Sequence, residues 1–101
     1  MAPSAAVVDA SPRVEGRPEG SLALELARDT TESGSYPIVL VSYSLACTTY
    51  EDANEAELVR GFLEYAASED GQAASAESAG SAPISDAIRT DAQAQIAKIG
   101  A

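Results

Sequence analysis

The stretch YPIVLVSYSLAC, residues 36–47, is the most apolar part of the chain and decides the predicted fold class. It is rich in β-branched and aromatic residues, and Pro37 stands near its start, where a strand tolerates proline. Apolar residues follow one another without alternation from Ile38 to Val41. A strand that is covered by helices on both faces has this pattern, so the stretch predicts a central strand of an α/β sheet.

A second strand is predicted upstream, where Leu22, Leu24 and Leu26 alternate with smaller or polar residues. The polar residues 29–35 between the two strands indicate a turn. Two strands do not make a stable sheet with both faces covered. The pattern is therefore typical of the last part of an α/β domain whose other strands belong to another part of the protein.

Three helices are predicted after the strands, over residues 52–68, 72–79 and 86–99. Asp52 and Ser85 are predicted N-caps, and Gly71 is predicted to stop the first of these helices. The side chains predicted to pack the helices on the sheet are Val59, Phe62, Leu63, Ile88, Ile96 and Ile99. The order is thus strand, strand, helix, helix, helix over residues 22–101, preceded by an irregular segment over 1–21 in which only a short Ala-Val run suggests the end of a helix.

Composition narrows the classes of function. The chain has 101 residues and a net charge of −10, and its Leu, Ile, Val and Phe residues together make up just under one fifth of it, so the core that it can build alone is thin. The acidic balance disfavours nucleic acid as a partner, because binding there depends on Lys and Arg. No apolar run is long enough to span a membrane directly, and residues 1–10 do not have the pattern of a signal peptide.

The sequence predicts no enzyme, no cofactor and no metal site. It has no His, and its one Cys, Cys47, lacks a partner base, so that residue is predicted to be a small buried hydrophobe, with a disulfide to another chain as the second interpretation. The adjacent carboxylates lack the spacing of a calcium loop and are interpreted as helix caps and solvated faces. The pairs concerned are Glu51/Asp52, Glu55/Glu57 and Glu69/Asp70.

Ser42, Tyr43 and Ser44 are the candidate site residues, with the hydroxyls of Thr48 and Thr49 just beyond them. They lie at the end of the predicted central strand, where ligands of open α/β sheets bind. Two interpretations remain open, since these hydroxyls can line a cleft or hinge, or can form hydrogen bonds locally where the strand ends.

The chain resembles the C-terminal segment of the PstS family, the phosphate-binding subunits of bacterial phosphate ABC transporters, in its actinobacterial form. The segments that carry this resemblance are 36–39 (YPIV), 42–43 (SY), 62–66 (FLEYA), 70–73 (DGQA), 79–85 (AGSAPIS) and 94–99 (AQIAKI). They occur in the same order and with similar spacing from Leu22 to the end of the chain. No single motif among them is diagnostic.

The resemblance implies the C-terminal part of a type II periplasmic-binding-protein fold, an incomplete lobe of a two-lobed α/β protein. It implies that the parent binds inorganic phosphate and delivers it to ABC transporter permease subunits. It also implies an extracytoplasmic lipoprotein parent, anchored to the membrane or associated with the cell wall, of which this chain is a fragment. The family's phosphate ligands lie in loops that have no counterpart here, so no ligand residue is carried over.

An alternative from another functional class is a freestanding acidic interaction protein that forms a dimer. It accounts for the thin core, because the second copy would cover the apolar stretch at 36–47.

Overall fold

A computed structural model describes residues 2–101 and shows four helices. They are α1 (Pro3–Ala10), α2 (Ala53–Ala67), α3 (Glu69–Ala79) and α4 (Asp86–Ile96). Helix α2 contacts both α3 and α4, and the molecule measures 47 × 35 × 18 Å along its principal axes. This flattened shape provides only a small interior.

Helices α2 and α4 begin where the sequence predicts. Asp52 accepts a hydrogen bond from the Asn54 amide at 2.8 Å, and Ser85 accepts one from the Ile88 amide at 3.2 Å, so both predicted N-caps are confirmed. Capping side chains satisfy amides that have no partner within the first turn of a helix. Helix α4 ends at Ile96 rather than at residue 99.

Helix α3 begins earlier than predicted, and Gly71 does not stop α2. Ser68 ends α2 and caps α3 at the same time, because its hydroxyl accepts a hydrogen bond from the Gly71 amide at 3.0 Å. Gly71 is buried inside the first turn of α3, where a Cβ would overlap the carbonyl oxygen of Tyr65. The glycine thus permits a tight corner between two helices.

The predicted α/β sheet is wrong. Among residues 2–101 the only β pairing consists of two isolated bridges, between Arg13 and Leu24 and between Thr49 and Gly100. The amide of Glu25 donates to the carbonyl of Pro12, and that of Val14 donates to the carbonyl of Ala23, so residues 23–25 lie against residues 12–14 of the N-terminal segment. β-Propensity reflects how well a residue packs on a pleated sheet. The described residues form no sheet on which the predicted strands could pack.

The N-terminal segment contains a helix. In α1, Ala5 and Val7 are buried, and the hydroxyl of Ser11, just after the helix, is buried and fully engaged. It donates to the Val7 carbonyl at 2.6 Å and accepts from the Ala27 amide at 3.0 Å. These contacts hold α1 against the segment that follows the predicted first strand.

The set of buried apolar residues also differs from the prediction, because the predicted sheet does not form. The buried apolar residues are Ala5, Val7, Ala56, Ile96 and Ile99. Of the six side chains predicted to pack on the sheet, only Ile96 and Ile99 are buried, whereas Val59, Leu63 and Ile88 are half-buried. Phe62 is 70% exposed, since the sheet that it was predicted to cover does not form.

Candidate functional site

The three predicted site hydroxyls do not converge on one point. Ser42 and Ser44 are exposed, and no hydrogen bond of either hydroxyl occurs among the described residues. The Tyr43 hydroxyl accepts a hydrogen bond from the Leu24 amide at 3.0 Å, which ties the segment to the chain that precedes it. The hydroxyl of Tyr43 thus has a structural role, whereas Ser44 borders a groove.

That groove lies between residues 44–45 and one face of α2. Ser44, Leu45, Leu58, Val59, Phe62 and Leu63 line it. Leu45 is 96% exposed and Leu58 75% exposed, so the groove is open and cannot enclose a small molecule. Small-molecule sites bury most of their ligand and combine an apolar lining with a few converging polar groups, which this groove lacks.

We call the full set of exposed large hydrophobic side chains the apolar surface, and the groove contains three of them. Every large hydrophobic side chain that is exposed among residues 2–101 comes from residues 36–45 or from α2. Its members are Tyr36, Ile38, Leu40, Tyr43, Leu45, Leu58, Phe62 and Tyr65. Leu58, Phe62 and Tyr65 lie at i, i+4 and i+7 and therefore share one face of the helix. This spacing is visible in the sequence, but the predicted packing residues of α2 were Val59, Phe62 and Leu63, so only Phe62 of this exposed face was among them.

The backbone next to this surface is also without partners inside the chain. From Leu40 to Ala46, no amide or carbonyl takes part in a hydrogen bond among the residues that the structure describes. The nearest engaged groups are the Val39 carbonyl, which accepts from Arg28, and the Cys47 amide, which donates to the Tyr50 hydroxyl. Such a row of free groups favours pairing with another chain.

Most of the cationic side chains are engaged. Arg89 is the most buried of those in ion pairs, with 14% of its side chain exposed, and it pairs with Asp86 and with Glu69 at 3.6 Å. Arg13 pairs with Asp91 at 2.8 Å, and Arg60 pairs with Glu64 at 3.7 Å along α2. These guanidinium groups are therefore already neutralised by carboxylates.

The N-termini of α3 and α4 are likewise occupied. Ser68 and Ser85 cap α3 and α4, and the first turns carry Glu69 and Asp70 in α3 and Asp86 in α4. A helix N-terminus attracts an anion through its free amides and its dipole. Here side-chain oxygens and carboxylates already take that place, so these termini repel a further anion such as phosphate.

Cys47 is exposed, so the prediction of a buried small hydrophobe is wrong. The residue lies at the end of the segment that was predicted to be a covered strand, and the absence of that cover leaves the thiol in solvent. Among residues 2–101, no three His, Cys, Asp or Glu side chains form a group that could hold a metal ion.

The acidic pairs serve the helices. Asp52 caps α2, Glu55 lies in the first turn of α2, and Glu69 contacts Arg89.

The described part of the chain contains no helix with both the length and the apolar character needed to cross a bilayer.

Comparison with known proteins gives one short similarity. Over 36 residues, which are 36% of this chain, the sequence is 47% identical to the phosphate-binding protein PstS2 of Mycobacterium bovis. The same values hold for the phosphate-binding protein PstS 2 of Mycobacterium tuberculosis. The match spans 10% of the length of each of these relatives. No family model and no solved structure matches the chain.

Proposed function

We propose that this chain is part of an extracytoplasmic protein that binds inorganic phosphate and delivers it to an ABC importer, and that this segment acts mainly as scaffold. The observation that carries the proposal is the 47% identity over 36 residues with two mycobacterial phosphate-binding proteins. The phosphate itself would be held by other parts of the parent protein.

The scaffold role is supported by the placement of charge. Phosphate sites in proteins need unpaired donors, such as free amides at a helix N-terminus or a guanidinium group that is not already neutralised. In this chain Arg89 and Arg13 are paired with carboxylates, and the N-termini of α3 and α4 are capped and acidic. The net charge of −10 also opposes the approach of an anion to the chain.

The partners follow from the same proposal. The parent would contact the permease subunits of the importer and would be anchored to the membrane or associated with the cell wall. Nucleic acid is not a partner under this proposal, because six Lys and Arg residues among sixteen carboxylates offer no basic face.

A segment exchange tests the proposal. The 36 matching residues of the Mycobacterium tuberculosis relative would be replaced by their counterparts from this chain. If the segment is scaffold of the same kind, we expect the chimera to fold and to bind phosphate with a Kd within about tenfold of the parent's, measured by calorimetry. A control chimera with the same 36 residues in scrambled order should lose both properties. A chimera that folds but does not bind phosphate, or that does not fold, would contradict the proposal.

A second candidate function is a freestanding acidic interaction protein. The observation that favours it is the apolar surface, which is exposed on a chain that is otherwise strongly charged.

A further inference from the structure

We infer that the apolar surface is the interface of a two-fold symmetric dimer of this chain. This inference does not depend on the phosphate proposal, because it concerns the surface that the chain presents and not any ligand. Three observations carry it, namely the exposed apolar area, the absence of charge from residues 33–50 and the free backbone groups.

The exposed area is large for a small monomer. Eight large hydrophobic side chains, between 47% and 96% exposed, make up the apolar surface. At roughly 100 Å² for each they offer on the order of 800 Å², which is what each partner contributes to a specific interface. The chain thus exposes enough apolar side-chain area for a stable dimer.

The charge pattern selects a second copy as the occupant. Residues 33–50 contain no charged residue, although the chain as a whole carries a net charge of −10. A basic partner would need carboxylates to pair with, and this segment has none to offer. Two copies can meet through residues 33–50 without bringing carboxylates together, whereas α2 adds some repulsion because Glu55 lies on the same helix face as Leu58 and Phe62.

The free backbone groups fit the same symmetry. In a two-fold dimer the same segment of each copy meets its twin in antiparallel orientation. The amides and carbonyls from Leu40 to Ala46 have no partners inside the described chain and would pair with those of the second copy. Pro37, which has no amide hydrogen, lies outside this stretch and does not interrupt it.

The centre of the interface would be formed by Leu45, Leu58 and Phe62, which line the groove. The Arg60–Glu64 pair, 3.7 Å apart, lies on the opposite side of α2 from Phe62, because residues two apart on a helix do not share a face.

Sedimentation of the full chain over a range of concentrations tests the inference. We expect a concentration-dependent change from a species of 10.3 kDa to one of twice that mass. Leu45→Asp and Phe62→Asp should each raise the dimer Kd by at least about tenfold, because an uncompensated charge would be buried at the centre of the contact. Thr31→Asp adds the same charge at an exposed position outside the surface and should change the Kd little.

Two further readouts separate the interface from other effects. Circular dichroism should show that the helices of Leu45→Asp are intact, since that side chain is 96% exposed in the monomer. Raising the salt concentration should strengthen the dimer several-fold, because salt screens the repulsion between two acidic copies. A monomer at all concentrations, polydisperse aggregates, or a dimer that neither variant weakens would overturn the inference.

Discussion

Gly71 shows how a single residue determines the path of this chain. It lies in the first turn of α3, directly after the Ser68 corner, and a Cβ at this position would overlap the carbonyl oxygen of Tyr65. The overlap is with backbone, which cannot move aside as the end of a long side chain can. The corner between α2 and α3 therefore depends on the absence of a side chain.

We expect Gly71→Ala to lower the free energy of unfolding by about 1–3 kcal/mol, because α2 and α3 must separate to relieve the overlap. Gly61→Ala is the matched control, since Gly61 lies inside α2 with open space around its Cα. Alanine is the better helix former there, so this control should be neutral or stabilising by up to about 1 kcal/mol. Urea denaturation at one fixed protein concentration measures both variants, and equal stability of Gly71→Ala and wild type would contradict the account.

At the scale of elements, the ends of the helices are determined by local chemistry. Ser85 accepts from the Ile88 amide and also donates to a carboxylate oxygen of Asp9 at 2.5 Å, so one hydroxyl caps α4 and links it to the end of α1. Both bonds are lost when the hydroxyl is removed.

We expect Ser85→Ala to lower the free energy of unfolding by about 1–2 kcal/mol, the usual range for loss of an N-cap. Thr90→Ala is the control on the same helix, because the Thr90 hydroxyl bonds only to the Asp86 carbonyl one turn earlier and alanine favours the helix. Denaturation followed by circular dichroism compares the two. If Thr90→Ala proved the more destabilising, the proposed role of the cap would be wrong.

The distance along the chain between interacting groups explains which elements the sequence predicts correctly. Asp52 and Ser85 are confirmed as caps because a cap acts on amides two or three residues away. The beginning of α3 was misplaced because Gly71 has the usual sign of a helix end, and only the Tyr65 carbonyl reveals why it lies inside a helix. The two predicted strands do not form because strand pairing needs a partner strand elsewhere in the chain. Residues 23–25 instead form backbone hydrogen bonds with residues 12–14.

The site was harder to predict than the helices. The partner of the Tyr43 hydroxyl, the Leu24 amide, is distant in sequence and could not be inferred from periodicity. Leu45 and Leu58 were missed, although the helical spacing of Leu58, Phe62 and Tyr65 was visible. A sheet of the predicted kind would have covered part of α2, and because no sheet forms, these side chains are exposed to solvent.

At the scale of the whole molecule, a thin core and a large apolar surface occur together. Only five apolar residues are buried, while eight large hydrophobic side chains are exposed. Such a chain is marginally stable alone and gains stability when another surface covers it. The rest of a phosphate-binding parent and a second copy of the chain would both provide that cover.

The central claim is that this chain contributes scaffold and no phosphate ligands of its own. A calorimetric titration of the full chain with inorganic phosphate tests it most directly, with sulfate at equal ionic strength as the control. Because Arg13, Arg60 and Arg89 pair with carboxylates and the N-termini of α3 and α4 are capped and acidic, we predict no saturable heat up to millimolar phosphate. Saturable binding with a micromolar Kd would contradict the claim.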